Sequence, residues 1–288
     1  AAGIRLSRRF CGQGRHKNSK VSFDMEEPKR MTGAEALIET LLKEGVDLVF
    51  GYPGGAIIPI YDHLYDYTDR LRHILVRHEQ GAVHAAQGYA RSTGRVGVCF
   101  ATSGPGATNF VTGITDAMLD STPIVCITAQ VDAAKLGTNF FQEADIIGIT
   151  SPITKWNYQI TRADEIATII PQAFHVAASG RPCPVVISIT RNAEIEMVDY
   201  LYDREKAISQ LVHVNIFRNV ERRNSAVAKA IELLNNAQKP LIIAGQGVIL
   251  SGAEQILAEC ANKGCIPVAC TLLGRSCMNF HDHYYVGM

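Results

Sequence analysis

The chain has 288 residues, 47% of them hydrophobic, and its 28 basic side chains balance its 28 acidic ones. A formal charge of zero argues against a basic face for nucleic acid or an anionic membrane surface, and no apolar run reaches the roughly 18 residues of a spanning helix. The length and apolar content suffice for two ordinary soluble domains with packed cores.

The first 24 residues stand apart, with Arg5, Arg8, Arg9, Arg15, Lys17 and Lys20 and no acid before Asp24. Such a segment reads as upstream sequence or as a transit peptide, so residues 1–30 are assigned to a leader outside the fold. The first reading expects a cytoplasmic protein, the second a plastid or mitochondrial one. The fold proper opens at Thr32-Gly33-Ala34-Glu35, a capping box, followed by a helix with Leu37, Ile38, Leu41 and Leu42 on one face and Gly45 at its end.

Strands and helices then alternate. Strands are predicted at 47–50, 73–76, 96–101, 123–128 and 184–190, and helices at 56–66, 79–92, 106–119 and 163–178. The strands are continuous apolar runs, as in a parallel sheet covered on both faces. Residues 31–191 therefore read as an open, doubly wound α/β domain. Residues 192–222 are charged and irregular and read as a linker. A second α/β alternation follows, with a helix at 224–236, a strand at 240–244, the turn Gly245-Gln246-Gly247, a helix at 252–263 and a strand at 266–270. It breaks off at Met288 before its sheet is complete, so residues 223–288 read as the start of a second domain and the chain as a fragment.

Eight cysteines are scattered without a CxxC pair. Cys99 and Cys126 lie in apolar runs as small buried hydrophobes, and the spacing of Cys260, Cys265, Cys270 and Cys277 fits no zinc pattern, so no metal ligands are assigned.

Three loops follow three strand ends: Gly51-Tyr52-Pro53-Gly54-Gly55, Arg77-His78-Glu79-Gln80-Gly81 and Ser103-Gly104-Pro105-Gly106-Ala107-Thr108-Asn109. In an open α/β sheet, ligands bind outside the carboxyl ends of the strands, so all three should gather at one rim. Glycines there let the backbone approach a ligand and free its N–H groups. Glu79 shares a helix face with Val83, Ala86 and Ala90, which places a carboxylate on the inward side.

GYPGGA, RHEQGAVHAAQGYAR and TSGPGATN resemble the thiamine-diphosphate enzymes, and within them the acetohydroxyacid (acetolactate) synthase catalytic subunits. The stretches GTNFFQEADIIGITSPITKWNYQI and ASGRPCPVVISITRNAE fit the same group. The resemblance runs from about Met31 to Met288 and covers the first half of such an enzyme. It implies that Glu79 hydrogen-bonds N1′ of the aminopyrimidine ring, where a carboxyl group sheltered from water can share a proton. It implies cofactor contacts from Tyr52, Pro53, Gly54, Gly55, Pro105 and Asn109, a catalytic role for Gln142, and substrate contacts from Phe141 and Arg191.

It further implies FAD, without a redox role, held by Arg181, by Gly245, Gln246 and Gly247, and by Thr271, Leu272 and Leu273. Read alone, GQGVIL lacks the third glycine of a dinucleotide fingerprint, because Leu250 stands there, and serves equally as a plain strand-to-helix turn. The sequence departs from the family pattern at Phe140, Cys183, Arg191 and Arg275. The resemblance places the magnesium and diphosphate ligands in a C-terminal domain outside this chain. It implies pyruvate and 2-oxobutanoate as substrates, a homodimer or homotetramer with the active site between subunits, room for a regulatory small subunit, and an isolated fragment without activity. Two other readings compete: another thiamine-diphosphate enzyme, of glyoxylate carboligase or pyruvate oxidase type, and a non-catalytic nucleotide-binding module. Glu79 weighs against glyoxylate carboligase, which lacks that glutamate.

Overall fold

The computed structural model describes residues 28–211 and 220–288, which belong to two compact units divided between residues 214 and 215. In the first unit, β1 (Lys29–Thr32) leads into α1 (Gly33–Lys43). The capping box is formed: the Thr32 N–H donates to Glu35 Oε2 at 2.9 Å and the Glu35 N–H to Thr32 Oγ1 at 3.2 Å. Gly45, at φ +81°, turns the chain out of the helix.

The alternation then runs through β2 (Leu48–Gly51), α2 (Ile58–Asp66), β3 (Arg72–Leu75), α3 (Glu79–Thr93), β4 (Gly97–Ala101), α4 (Pro105–Thr108), α5 (Val111–Leu119) and β5 (Ile124–Gln130). It continues through α6 (Ile146–Thr150), β6 (Trp156–Ile160), α7 (Ile166–Ala178), β7 (Val185–Thr190), α8 (Arg191–Ile195), β8 (Met197–Tyr200) and α9 (Arg204–Ser209).

Six of these strands form one parallel sheet in the order β3-β2-β4-β5-β7-β6. Every residue of β4, β5 and β7 is buried, as their unbroken apolar runs require. One face is covered by α1, α2 and α7 through residues such as Leu37, Leu41, Ile60 and Ile170. The other is covered by α3 and α5 through Val83, Ala86, Phe110 and Ile114. Burying each of these Leu, Ile, Val and Phe side chains contributes about 1.5–3 kcal/mol. Gly113 of α5 admits close contact with α3: a Cβ there would lie 2.6 Å from Val83 Cβ.

Sheet order sets the location of the site. From β2 the chain moves outward to β3, then returns past β2 to lay down β4 on its other side. The winding direction therefore reverses between β2 and β4, and a crevice opens at their carboxyl ends. The loops after β2, β3 and β4 all border it.

Three differences from the sequence reading concern placement. Residues 192–211, read as linker, instead form α8, β8 and α9, and β8 pairs antiparallel with β1 from Thr32↔Met197 to Lys29↔Tyr200. A four-residue strand whose partner lies some 170 residues away leaves no local signal. For the same reason Lys29 and Arg30, assigned to the leader, belong to β1, while residues 1–27 and 212–219 lie outside the described residues. The edge strand β6 was also missed, because WNYQI alternates and is only half-buried along most of its length.

The second unit contains α10 (Val220–Asn236), β9 (Ile242–Ala244), α11 (Gln246–Leu250), α12 (Glu254–Gly264), β10 (Val268–Cys270) and β11 (Tyr285–Gly287). Its sheet is parallel in the order β11-β10-β9. The core is small, built from Ala244, Ala261, Val268, Cys270, Cys277 and Met278.

Candidate active site

Glu79 is the first residue of α3, and His78 caps that helix by accepting the Gln80 N–H on its ring nitrogen Nδ1 at 3.2 Å. The Glu79 side chain turns inward and is only 8% exposed. The third loop supplies its partner, because Asn109 Nδ2 donates to Glu79 Oε2 at 2.8 Å. The other carboxyl oxygen faces Gly106, where an added Cβ would stand 3.2 Å from Oε1. Glu79 therefore keeps one oxygen pinned by an amide and the other beside a bare Cα. A buried carboxyl group in this setting can hold or release a proton at a ligand atom, and Asn109 fixes its orientation.

The first and third loops meet through Thr102. A Cβ on Gly54 would come within 2.5 Å of Thr102 Cβ, and one on Gly106 within 2.8 Å of Thr102 Cγ2. The Ala56 N–H donates to Thr102 Oγ1 at 3.3 Å, and the Tyr52 N–H to the Phe100 carbonyl at 3.4 Å. These approaches require glycine at both positions. Tyr52 is 41% exposed above the crevice, with Pro53 and Gly55 exposed beside it and Pro105 exposed at the mouth of the third loop.

Phe141 and Gln142 follow β5 on a turn that packs its backbone on the third loop. Gly104, at φ +56°, would place a Cβ 2.5 Å from the Gln142 carbonyl. Gln142 itself adopts φ +59°, a left-handed conformation that costs a non-glycine residue about 1 kcal/mol or more. Glu143 secures the turn by accepting the Gly137 and Phe140 N–H groups, and these bonds hold its carboxyl below the usual range. The Phe141 ring is 78% exposed and the Gln142 side chain is exposed with it. Arg191, at the end of β7, reaches back to the first loop, with Nη1 donating to the Gly55 carbonyl at 3.2 Å.

Arg181 is not part of this rim. It precedes β7 and donates to Ser121 Oγ at 2.7 Å and to the Met118 carbonyl at 2.9 Å, at the end of α5. That position is at the amino ends of the strands, opposite Glu79. In the second unit, Gly245 caps α11 and the Thr271 N–H donates to the Ala244 carbonyl at 2.9 Å. Gly245, Gln246 and Gly247 thus adjoin Thr271, Leu272 and Leu273 at the carboxyl ends of β9 and β10. A groove beside them is lined by Leu272, Leu273, Arg275, Met278 and Phe280.

Sequence reasoning names Gly104 and Gly106 only as loop glycines and does not name Thr102, although all three join the loops into one site. The only signal available was their place in TSGPG; their contacts come from two strands far apart in the chain. Among the described residues no cluster of three or more His, Cys, Asp or Glu side chains could hold a metal ion, and no helix is long and apolar enough to cross a membrane.

Comparison with known proteins agrees with this geometry. Residues 31–149 match the family described as thiamine pyrophosphate enzyme, N-terminal TPP binding domain, and residues 227–288 match the thiamine pyrophosphate enzyme central domain. An acetolactate synthase of Arthrospira platensis is 48% identical over 250 residues, which is 86% of this chain and 42% of that protein. An acetolactate synthase large subunit of Corynebacterium glutamicum is 45% identical over 262 residues, 91% of this chain and 41% of that protein. One from Pyropia yezoensis is 44% identical over 259 residues, 89% of this chain and 43% of that protein. The chain spans about two-fifths of the length of the curated relatives it matches.

Proposed function

The chain belongs to the thiamine pyrophosphate enzymes, and from that membership we propose that the full-length protein is an acetolactate synthase. It decarboxylates pyruvate with thiamine diphosphate and adds the two-carbon unit to pyruvate or 2-oxobutanoate, a step that supplies branched-chain amino-acid biosynthesis. The observation that carries this reading is Glu79: buried in the crevice, oriented by Asn109, with its second oxygen beside the bare Cα of Gly106.

The residues fit the aminopyrimidine of thiamine diphosphate. Glu79 holds a proton at a ring nitrogen, and Asn109 keeps that carboxyl from turning away. Gly54 and Gly106 let the first and third loops close on Thr102 beside Glu79. When bound, the cofactor supplies the electron sink for decarboxylation. Tyr52, Pro53, Gly55 and Pro105 border the crevice, Phe141 and Gln142 stand at its mouth, and Arg191 offers a cation to a keto-acid carboxylate.

FAD, without a redox role, is proposed for Gly245, Gln246, Gly247, Thr271, Leu272 and Leu273, with Arg181 as a contact. Magnesium is proposed on ligands in the C-terminal part of the full-length enzyme. A homodimer or homotetramer with a regulatory small subunit is the proposed assembly, and the isolated chain is expected to be inactive.

The test is to incubate the full-length protein with pyruvate, thiamine diphosphate and magnesium, then measure acetolactate. Its appearance, and 2-aceto-2-hydroxybutanoate when 2-oxobutanoate is added, is the expected result. Tartronate semialdehyde from glyoxylate, or acetyl phosphate with consumption of oxygen, would overturn it in favour of another thiamine-diphosphate enzyme. Failure to bind thiamine diphosphate would favour a non-catalytic module.

A further inference from the structure

The first loop leaves the sheet at Gly51, and Gly51 rests on a half-buried polar pair with no part in the proposed proton transfer. Tyr61 Oη of α2 lies 3.1 Å from His73 Nε2 of β3, with the rings edge to face at 5.1 Å between centroids. The Tyr61 oxygen lies directly under Gly51, since a Cβ built there would be 2.5 Å from it. The Phe100 carbonyl would be 2.9 Å from the same Cβ, and the Phe100 ring stands edge to face with Tyr61 at 6.4 Å. Gly51 is thus held between α2 and β4, two residues before Pro53.

Burial pushes the Tyr61 phenol well above its ordinary range. Burial also holds the His73 imidazole below its ordinary value, partly offset by the Gly51 carbonyl. At neutral pH both groups are therefore neutral and share one hydrogen bond, whose donor is set by the His73 tautomer. That hydrogen bond fixes the tilt of the phenol beneath the loop. The loop needs such support. Three of its five residues are glycine, and its other hydrogen bonds include the Val76 N–H to the Gly51 carbonyl, the Tyr52 N–H to Phe100, the Ile57 N–H to the Gly54 carbonyl, the Gly55 carbonyl to Arg191 and the neighbouring Ala56 N–H to Thr102.

We propose that Tyr61 and His73 are positioning residues that hold Gly51, and through it Tyr52 to Gly55, against Thr102 and Glu79. This rests on the reading of the rim as the thiamine diphosphate site. Tyr61→Phe keeps the ring and its packing but removes the hydroxyl. His73→Leu removes the partner, and His73→Gln restores one through its amide, which can donate or accept.

In the full-length enzyme, the dissociation constant for thiamine diphosphate, measured by calorimetric titration, is expected to rise about tenfold in Tyr61→Phe and His73→Leu, because small misplacements of a binding loop are costly. His73→Gln should return it to within about twofold, and the melting temperature of Tyr61→Phe should stay within about 3 °C, the loss of roughly one hydrogen bond. A mere packing role would lower stability without altering cofactor affinity. Wild-type binding in both Tyr61→Phe and His73→Leu, or equally weak binding in His73→Gln and His73→Leu, would overturn the proposal and leave the site assignment standing. A wild-type protein that does not bind the cofactor would overturn both.

Discussion

The two halves of the rim are built differently. The inner half, where β2, β3 and β4 end, is closed: Glu79, Asn109, Thr102 and the glycines touch one another, and glycine is required wherever two loops meet. The outer half, where β5 and β7 end, is open. Phe141 and Gln142 extend outward from a turn held by its backbone, by Glu143 and by Lys135 over the Phe140 ring, and Arg191 donates to the Gly55 carbonyl of the first loop. Tight packing suits groups that must hold a proton at one atom, where small displacements are costly. An open half suits contacts that form only when something is bound. Under the proposed function, proton handling and recognition would fall to separate strand ends of one sheet.

The largest test of this division is Glu79→Gln. The amide keeps the shape and the contact region of Asn109 but cannot exchange a proton, so carboligation in the full-length enzyme should fall by at least about 100-fold with the melting temperature nearly unchanged. Activity near wild type would remove the distinction between the halves. Next in size is Gly106→Ala. The added methyl would stand 2.8 Å from Thr102 Cγ2 and 3.2 Å from Glu79 Oε1. We expect about 1–3 kcal/mol of destabilisation by denaturant titration and roughly tenfold lower turnover, since a packed site tolerates little added volume.

Phe141→Ala probes the open half. With its ring so exposed, stability should change by less than about 0.5 kcal/mol, while KM for pyruvate rises a few-fold. A large loss of stability would show the outer turn to be part of the packed structure after all.

The smallest effect concerns Glu194, buried beneath the outer half on α8 with no hydrogen-bond partner for either carboxyl oxygen. Burial raises its carboxyl well above the ordinary 4.5, against the nearby Arg191 charge. The folded state thus binds this proton more tightly than the unfolded chain does. Its stabilising contribution is complete below 4.5 and is lost as pH rises through the folded value. Glu194→Gln removes that loss. It should melt about 2–4 °C higher than wild type at pH 8 and show no advantage near pH 4, as read by calorimetry.

Much of this was legible in the residues. The capping box at Thr32 and Glu35, the glycine stop at Gly45 and the apolar runs of β4, β5 and β7 are local signals, and local physics reads them directly. Glu79 is recognisable as inward-facing from helical period alone, and the family resemblance implies a cofactor contact for it. Less visible were elements whose partners are distant. β8 has four residues and meaning only against β1; β6 is a half-exposed edge; Tyr61 and His73 are ordinary residues until α2 and β3 are laid side by side.

The amino-acid order by itself determined the alternation of elements, the parallel sheet and the three loops at its strand ends, because period, capping and glycine content act over a few residues. The tertiary structure alone decided that winding reverses between β2 and β4, that Asn109 meets Glu79, and that Arg181 sits at the opposite end of the sheet. Those outcomes depend on which strands become neighbours, a choice made by the burial of both sheet faces together rather than by any segment on its own.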